Sequence, residues 1–149
     1  MGEFGFIAKI AELFASVDHH GWEAIGDDCT VLPLGDEALV ITTDMLIEDV
    51  HFLRDKITPE ELGRKALSVN LSDVAAMGVR PVATLLSVAL PKDAVGEWAE
   101  RFARGYHALS EEYSVALVGG DTTSSKDGIS INVVAIGCGP LSNIKRRSA

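Results

Sequence analysis

Four short segments of the sequence each carry an aspartate beside small or hydroxylated residues. The segments "GDD", "TTD", "NLSD" and "GGD" supply Asp28, Asp44, Asp73 and Asp121. Oxygen ligands of this kind suit Mg²⁺, a hard cation that keeps several waters and is completed by substrate phosphates. The pattern therefore favours phosphate handling through a metal ion. Each segment by itself also fits a plain structural interpretation, because an aspartate at the end of a strand often caps a turn.

The segment at Asp73 is the most informative, because a helix places this carboxylate on an apolar side. Thr58-Pro59 starts the predicted helix and Gly78 ends it. At about 100° per residue, the side that carries Asp73 also carries Leu62, Ala66, Val69, Asn70, Ala76 and Met77. Burying an unpaired charge is costly. Asp73 is therefore expected either to bind a cation or to cap a neighbouring backbone group.

The acidic composition restricts the possible partners. Twenty-two acidic against thirteen basic residues give a formal charge of −9. Such a chain should repel nucleic acid and anionic membranes, so a phosphate ligand would have to be bound through divalent cations. No apolar run reaches the ~18 residues of a membrane span, and the first residues lack the basic-then-apolar layout of a signal peptide. We therefore expect a cytoplasmic protein that binds neither nucleic acid nor membrane.

Strand and helix patterns together predict one α+β domain. Hydrophobic periodicity predicts helices over 3–16, 58–77 and 94–113, and strands over 29–34, 38–43, 45–52, 80–91, 114–120 and 128–139. Gly35-Asp36 separates the first two strands and is typical of a hairpin turn. Because the strands come in adjacent runs between two long helices, we expect a mixed or antiparallel sheet with both long helices on one face.

Four motifs, in this order, give the sequence a family resemblance. They are "IGDDCTVLPL", "TTDMLIEDVHF", "LGRKALSVNLSDVAAMG" and "LVGGDTT". Together they resemble the N-terminal domain of the thiamine-monophosphate kinases, which belong to the aminoimidazole ribonucleotide synthetase-like superfamily. The resemblance implies the fold of that N-terminal domain. It also implies a magnesium-dependent reaction in which ATP phosphorylates thiamine monophosphate to thiamine diphosphate.

The resemblance further implies how the chain is organised. Residues 1–149 correspond to the metal- and ATP-binding N-terminal domain, through which the family forms homodimers. The family's C-terminal domain has no counterpart in this sequence. The chain is therefore expected to be the N-terminal half of the enzyme and to bind ATP and thiamine monophosphate as a homodimer.

The site residues can be carried over position by position from the resemblance. The implied magnesium ligands are Asp28, Thr42, Thr43, Asp44, Asp73 and Asp121; the implied nucleotide contacts are Gly120, Asp121 and Arg147; and His51 is the implied contact to thiamine monophosphate. No catalytic base is expected, because the last proton of a phosphate monoester has a pKa of about 6 and the nucleophile is already deprotonated at neutral pH.

Two other functions stay open on the sequence alone. The chain could be a sibling ATP-dependent synthetase of the same superfamily that acts on another substrate. It could also be a dimerisation domain without activity of its own. Thiamine monophosphate as a test substrate separates the first from the kinase, and a ligand-induced rise in melting temperature separates the second.

Overall fold

The computed structural model describes residues 1–146 of the chain and shows an α+β architecture. Its elements are α1 (Glu3–Phe14), β1 (Thr30–Leu34), β2 (Glu37–Ile47), α2 (Pro59–Ala76), β3 (Arg80–Leu90), α3 (Glu97–Tyr113), β4 (Ala116–Ser124) and β5 (Ser130–Pro140). Short 3₁₀ turns lie at Lys92–Ala94 and Leu141–Asn143. The predicted α+β class is confirmed. Among residues 1–146, no helix combines the length and the apolar character that a membrane crossing needs.

The five strands form one mixed sheet in the order β1-β2-β5-β3-β4. The neighbouring pairs β1–β2, β2–β5 and β5–β3 are antiparallel. β4 runs parallel to β3 at the edge of the sheet. The hairpin between β1 and β2 turns at Gly35, where φ is +63° and a residue without a Cβ avoids strain. The predicted hairpin and the predicted mixed sheet are both present.

Both long helices lie on one face of this sheet, which we call the covered face. α2 begins with a capping box, in which the Thr58 hydroxyl accepts from the Glu61 amide and the Glu61 carboxylate accepts from the Thr58 amide, each at 3.1 Å. The hydroxyls of Thr84 on β3 and Tyr106 on α3 are hydrogen-bonded at 2.5 Å, which ties α3 to the same side. The predicted packing of the two helices is therefore confirmed.

Two glycines allow α2 and α3 to approach closely. A Cβ atom on Gly63 would collide with the backbone of α3 at Phe102, and one on Gly105 would collide with the backbone of α2 at Glu60. Next to this contact, the Arg101 guanidinium donates to the Glu60 carboxylate from Nε at 2.6 Å and from Nη2 at 3.0 Å. The helix pair thus forms a rigid layer over the sheet.

The core lies between this helix layer and alternate residues of the strands. Val40 on β2, and Ile131, Val133 and Ala135 on β5, are essentially fully buried against the helices. The residues between them face the opposite side of the sheet, which we call the open face, and most of these remain half-buried or exposed. Burying alternate residues in this way is what fixes the register of a sheet.

Two predicted strand boundaries are wrong. β2 runs without interruption through all eleven of its residues, because each of them pairs with β5. Met45–Ile47 therefore belong to β2, and the separate strand predicted over 45–52 does not exist. β4 continues past the predicted end at residue 120 to Ser124, because it pairs with β3 as far as Leu90.

Candidate functional site

Three of the predicted magnesium ligands form one acidic group on three different elements. Asp28 precedes β1, Asp44 lies within β2 and Asp73 lies in the last turns of α2. Burial, the charge of Asp44, a hydrogen bond with Asp44 and the charge of Asp28, in decreasing order of effect, together raise the pKa of Asp73 to about 6. Two carboxylates that lie 29 and 45 positions earlier in the chain therefore act electrostatically on Asp73. We call Asp28, Asp44 and Asp73 the acidic group.

Thr42 connects the acidic group to the core of the sheet. Its side chain is only 8% exposed, and its hydroxyl donates to the main-chain carbonyl of Asp28 at 3.0 Å. Because side chains alternate along a strand, Thr42 and Asp44 share the covered face with α2. The β2 strand thus places a hydroxyl and a carboxylate on the side where Asp73 arrives from the helix.

Cys29 is a neighbour of this group that no sequence motif indicated. The Cys29 thiol is buried and donates to the main-chain carbonyl of Asp73 at 3.5 Å. Burial raises the pKa of Cys29 to about 11, and the charges of Asp73, Asp28 and Asp27 contribute, whereas a hydrogen bond with Thr42 lowers it. The only sequence signal was its position next to Asp28 at the start of a strand. Its raised pKa reflects burial first and the neighbouring carboxylates second.

The helical position of Asp73 differs from the predicted one. The buried residues of α2 are Pro59, Leu62, Gly63, Ala66, Leu67, Asn70, Leu71 and Val74. Ala76, which was predicted to lie on the apolar side, is exposed, and Asp73 is half-buried at the margin of the buried stripe. α2 is turned this way because it packs against α3 at Gly63 as well as against the sheet. The Asp73 carboxylate can therefore meet both water and the other acidic side chains.

The acidic group has the chemistry that a hard divalent cation requires. Its donors are carboxylate oxygens, and the charges that act on Asp73 are both negative, so a cation would relieve their repulsion. Within residues 1–146, no three His, Cys, Asp or Glu side chains already stand close enough together to hold a metal ion. Magnesium usually keeps several waters and binds through one or two carboxylates plus phosphates. The donor set therefore fits Mg²⁺ without forming a closed protein cage.

Two predicted ligands lie away from the acidic group. The Thr43 hydroxyl accepts a hydrogen bond from the Asn132 amide at 2.8 Å on the open face. Asp121 is exposed on β4 and lies beside Ser87 of β3. β4 is three strands away from β2 in the sheet order, which corresponds to roughly 14 Å. A single chain therefore does not bring the side chains of Thr43 and Asp121 to the acidic group.

The predicted nucleotide contacts lie at the edge of the sheet. Gly120 has φ of +152°, and a Cβ atom there would collide with the Leu86 carbonyl of β3, so only glycine fits. Gly120 and Asp121 are both exposed on β4. Arg147, the third predicted nucleotide contact, lies outside the described residues.

His51 lies in a tight loop directly after β2, and we call residues 48–54 the His51 loop. The side chain is exposed, and its Nδ1 atom accepts a hydrogen bond from the Ile47 amide at 2.9 Å. The Lys65 ammonium of α2 donates to the His51 carbonyl at 3.1 Å. The loop thus presents a histidine ring four residues beyond the end of β2, and α2 holds the backbone at that position.

The fold and the acidic group together define a known class of domain. The model of the family described as AIR synthase related protein, N-terminal domain, matches residues 26–138. These residues include the acidic group, the His51 loop and the predicted nucleotide contacts on β4. The chain belongs to this family.

Its individual relatives are more specific. The thiamine-monophosphate kinase of Corynebacterium glutamicum is 43% identical over 139 residues, which cover 92% of this chain and 40% of that protein. The thiamine-monophosphate kinase of Haemophilus influenzae is 40% identical over 139 residues, which cover 92% and 41%. A solved structure described as "AaThiL complexed with AMPPCP and TMP" is 40% identical, has a TM-score of 0.83, and covers 93% of this chain and 42% of that chain.

These relatives confirm the predicted resemblance to thiamine-monophosphate kinases. They also set its extent, since the chain spans about 40% of the length of the curated relatives it matches.

Proposed function

We propose that this chain is the N-terminal part of a magnesium-dependent phosphotransferase that moves a phosphoryl group from ATP to thiamine monophosphate. The acidic group carries the proposal, because Asp28, Asp44 and Asp73 concentrate negative charge where a cation bound to phosphates would be stabilised. Support comes from the names of the relatives and from the solved relative described as complexed with AMPPCP and TMP.

In this proposal each site residue keeps its predicted role, and Asp121 has two. Asp28, Thr42, Asp44 and Asp73 hold Mg²⁺ on the covered face, and the predicted ligand set also includes Thr43 and Asp121. Gly120, Asp121 and Arg147 contact the nucleotide, and His51 contacts thiamine monophosphate. When bound, magnesium supplies positive charge that offsets the repulsion between the two phosphate groups.

The side chains have to orient charge rather than move a proton. The acceptor phosphate is largely deprotonated at neutral pH, so no residue has to act as a general base. The obstacle is to bring two polyanions together in line and to hold them there. Side chains on β2 and α2 suit this task. A strand and a helix hold them in place before the ligands bind, so little conformational entropy is lost on binding.

The open face supports the further proposal of a homodimer. Met45 is 56% exposed there, beside other half-buried apolar residues of β2 and β5. A two-fold contact between two copies of this face would cover these residues. We also propose that residues 1–149 form one domain, that a second domain completes the active protein, and that the protein is cytoplasmic. The net charge of −9 is consistent with a protein that binds neither nucleic acid nor membrane.

A fluorescent assay for thiamine diphosphate tests the proposed reaction. ATP, Mg²⁺ and thiamine monophosphate are supplied to the chain alone and to a longer version that includes the family's second domain. Product from the longer version supports the kinase. A folded longer version that makes no product contradicts the kinase and favours a sibling synthetase with another substrate. A melting temperature that does not respond to Mg²⁺ and ATP favours a dimerisation domain without activity.

A further inference from the structure

The His51 loop is held by a partly buried ion-pair arrangement that none of the predicted roles uses. Arg54 donates to both carboxylate oxygens of Glu48, from Nε at 3.0 Å and from Nη2 at 2.9 Å, and to Asp93 from Nη1 at 2.8 Å. The Glu48 carboxylate also accepts from the Ile129 amide at 2.8 Å. We call Glu48, Arg54 and Asp93 the Arg54 clamp. It links both ends of the loop to β5 and to the segment after β3.

The Glu48–Arg54 pair of the clamp is better shielded than an ordinary surface ion pair. The side chain of Arg54 is 25% exposed and that of Glu48 is 13% exposed. Two-point hydrogen bonding between guanidinium and carboxylate fixes geometry as well as charge, and partial burial reduces its screening by salt. The hydrogen bond from Arg54 lowers the pKa of Glu48, so the pair stays ionised near neutral pH.

The loop needs such external support. Asp49 adopts a left-handed conformation with φ of +67°, which aspartate tolerates better than most residues with a side chain but which still costs more than the right-handed one. The turn is closed by hydrogen bonds from the Asp49 amide to the Phe52 carbonyl at 2.8 Å and from the Val50 amide to the Ile47 carbonyl at 3.1 Å. The clamp connects Glu48, just before this turn, to Arg54, just after it.

The turn also determines which nitrogen of His51 carries the proton. The Ile47 amide donates to Nδ1 of His51 at 2.9 Å, while the His51 amide donates to the Ile47 carbonyl at 2.8 Å. A nitrogen that accepts a hydrogen bond has no proton of its own, so the neutral ring carries its proton on Nε2. Because the side chain is exposed, Nε2–H is a donor available to a ligand.

Arg54 is already neutralised by carboxylates, which take three of the five N–H donors of its guanidinium. Its Nε, Nη1 and Nη2 atoms all donate to carboxylates of the clamp. The clamp combines one positive and two negative charges and has no surplus positive charge to attract a phosphate. Its contribution to a phosphate site must therefore be positional.

We infer that the Arg54 clamp is a positioning device, which holds His51 so that its Nε2–H donates to a phosphate oxygen of the substrate. The identity of that substrate rests on the proposed function. Glu48, Arg54 and Asp93 are positioning residues in this assignment, and His51 makes the contact.

Two readouts on the chain test this inference. Long-range ¹H–¹⁵N correlations report which ring nitrogen of His51 carries the proton at about pH 8, above the ordinary pKa of histidine. Calorimetry with Mg²⁺ present compares the binding of thiamine monophosphate with that of thiamine, which has no phosphate. The variants are Arg54→Gln and Arg54→Lys, with Asp93→Asn as a milder change at an exposed position. Arg64→Gln is the control, because it breaks a single exposed pair with Glu112.

The parent is expected to show one Nε2-protonated ring. Arg54→Gln should give a mixture of ring forms and weaken thiamine monophosphate binding by about tenfold, the scale of one hydrogen bond to a charged group, without weakening thiamine binding. Arg54→Lys should restore part of the affinity, Asp93→Asn should have a smaller effect in the same direction, and Arg64→Gln should have none.

Three results would count against the inference or its basis. A parent ring protonated on Nδ1 overturns the inference whatever the chain binds. An Arg54→Gln variant that is less stable yet keeps both the ring form and the selective affinity shows that the clamp is merely structural, which also overturns it. A parent with the Nε2 proton that binds no thiamine monophosphate, either as the chain alone or in the longer version with the family's second domain, supports the positioning of His51 but overturns the proposed function and its phosphate contact.

Discussion

The two faces of the sheet hold the predicted ligands under different physical conditions. On the covered face, Thr42 and Asp44 of β2 lie on the same side as Asp73 of α2. Burial and like charges there raise the pKa of Asp73 to about 6. On the open face, Thr43 is hydrogen-bonded to Asn132, and Asp121 lies exposed beside Ser87. The residue types are the same on both faces, but only the covered face combines partial burial with several negative charges.

This difference separates a group that one chain assembles from residues that need another surface. The acidic group draws on a loop, a strand and a helix, so the fold alone brings its members together. Thr43 and Asp121 lie on different strands of an uncovered face, and they meet a ligand only if something else approaches that face. Replacing matched residues on the two faces tests whether they differ in function as they do in structure.

The largest effect is expected from Asp73→Asn. The amide keeps the size of the side chain but removes one charge of the acidic group, so Mg²⁺-dependent ATP binding should weaken by on the order of 100-fold or more. Calorimetry with and without Mg²⁺ measures this loss. The fold should survive, because the substitution also removes repulsion between like charges.

Asp121→Asn is the matched control for that experiment. It removes the same charge from the open face, and we expect a smaller loss of Mg²⁺-dependent binding in the single chain. If Asp73→Asn binds as tightly as the parent, the acidic group is not the metal site. If the two variants lose equal affinity, the contrast between the two faces has no functional meaning.

A smaller effect is expected in the pH dependence of stability without metal. The folded-state pKa of Asp73 is raised from 3.8 to about 6, so the folded protein binds this proton more tightly than the unfolded chain does. The contribution of Asp73 to stability is therefore fully present below about pH 4 and is lost as the pH rises to about 6. Partial exposure to water limits this loss to about 1–2 kcal/mol.

Urea unfolding of the parent and of Asp73→Asn, both in a chelator, isolates this contribution. The variant should gain stability relative to the parent between pH 4 and 6, and the difference should then stay constant. Added Mg²⁺ should reduce the difference, because the cation stabilises the charged form in the parent. A difference in stability that does not change with pH would mean that Asp73 has an ordinary pKa.

The sequence allowed most of the fold to be predicted because its local signals agreed with the tertiary packing. Thr58 and Gly78 mark the two ends of α2, and Gly35-Asp36 marks the hairpin, each through a backbone requirement that a few residues express. The ends of β2 and β4 were misplaced because strand pairing decides where a strand ends, and pairing partners lie far away in the chain.

The candidate site was predictable in composition but not in arrangement. The motifs identified each aspartate, and neighbouring strand residues must point to opposite faces, yet nothing local indicates which of Thr42 and Thr43 faces α2. The Arg54 clamp was missed because Asp93 lies 39 positions from Arg54 and no short motif joins them. Contacts of this kind arise from topology, which single-sequence patterns express only weakly.

The adjacent threonines offer the finest test of the two faces. Thr42→Val removes a hydroxyl that donates to the Asp28 carbonyl beneath α2, so it should cost about 1 kcal/mol of stability and weaken Mg²⁺ binding several-fold. Thr43→Val removes a hydroxyl from the open face, where water can replace the contact with Asn132. Its effect on stability should stay within about 0.5 kcal/mol.

Unfolding in urea and Mg²⁺ titration measure both threonine variants under the same conditions. Because the two positions are neighbours with the same side chain, differences in composition and strand propensity cancel. A larger loss of Mg²⁺ affinity in Thr43→Val than in Thr42→Val would place the cation on the open face, and the acidic group would then be a structural feature of the covered face.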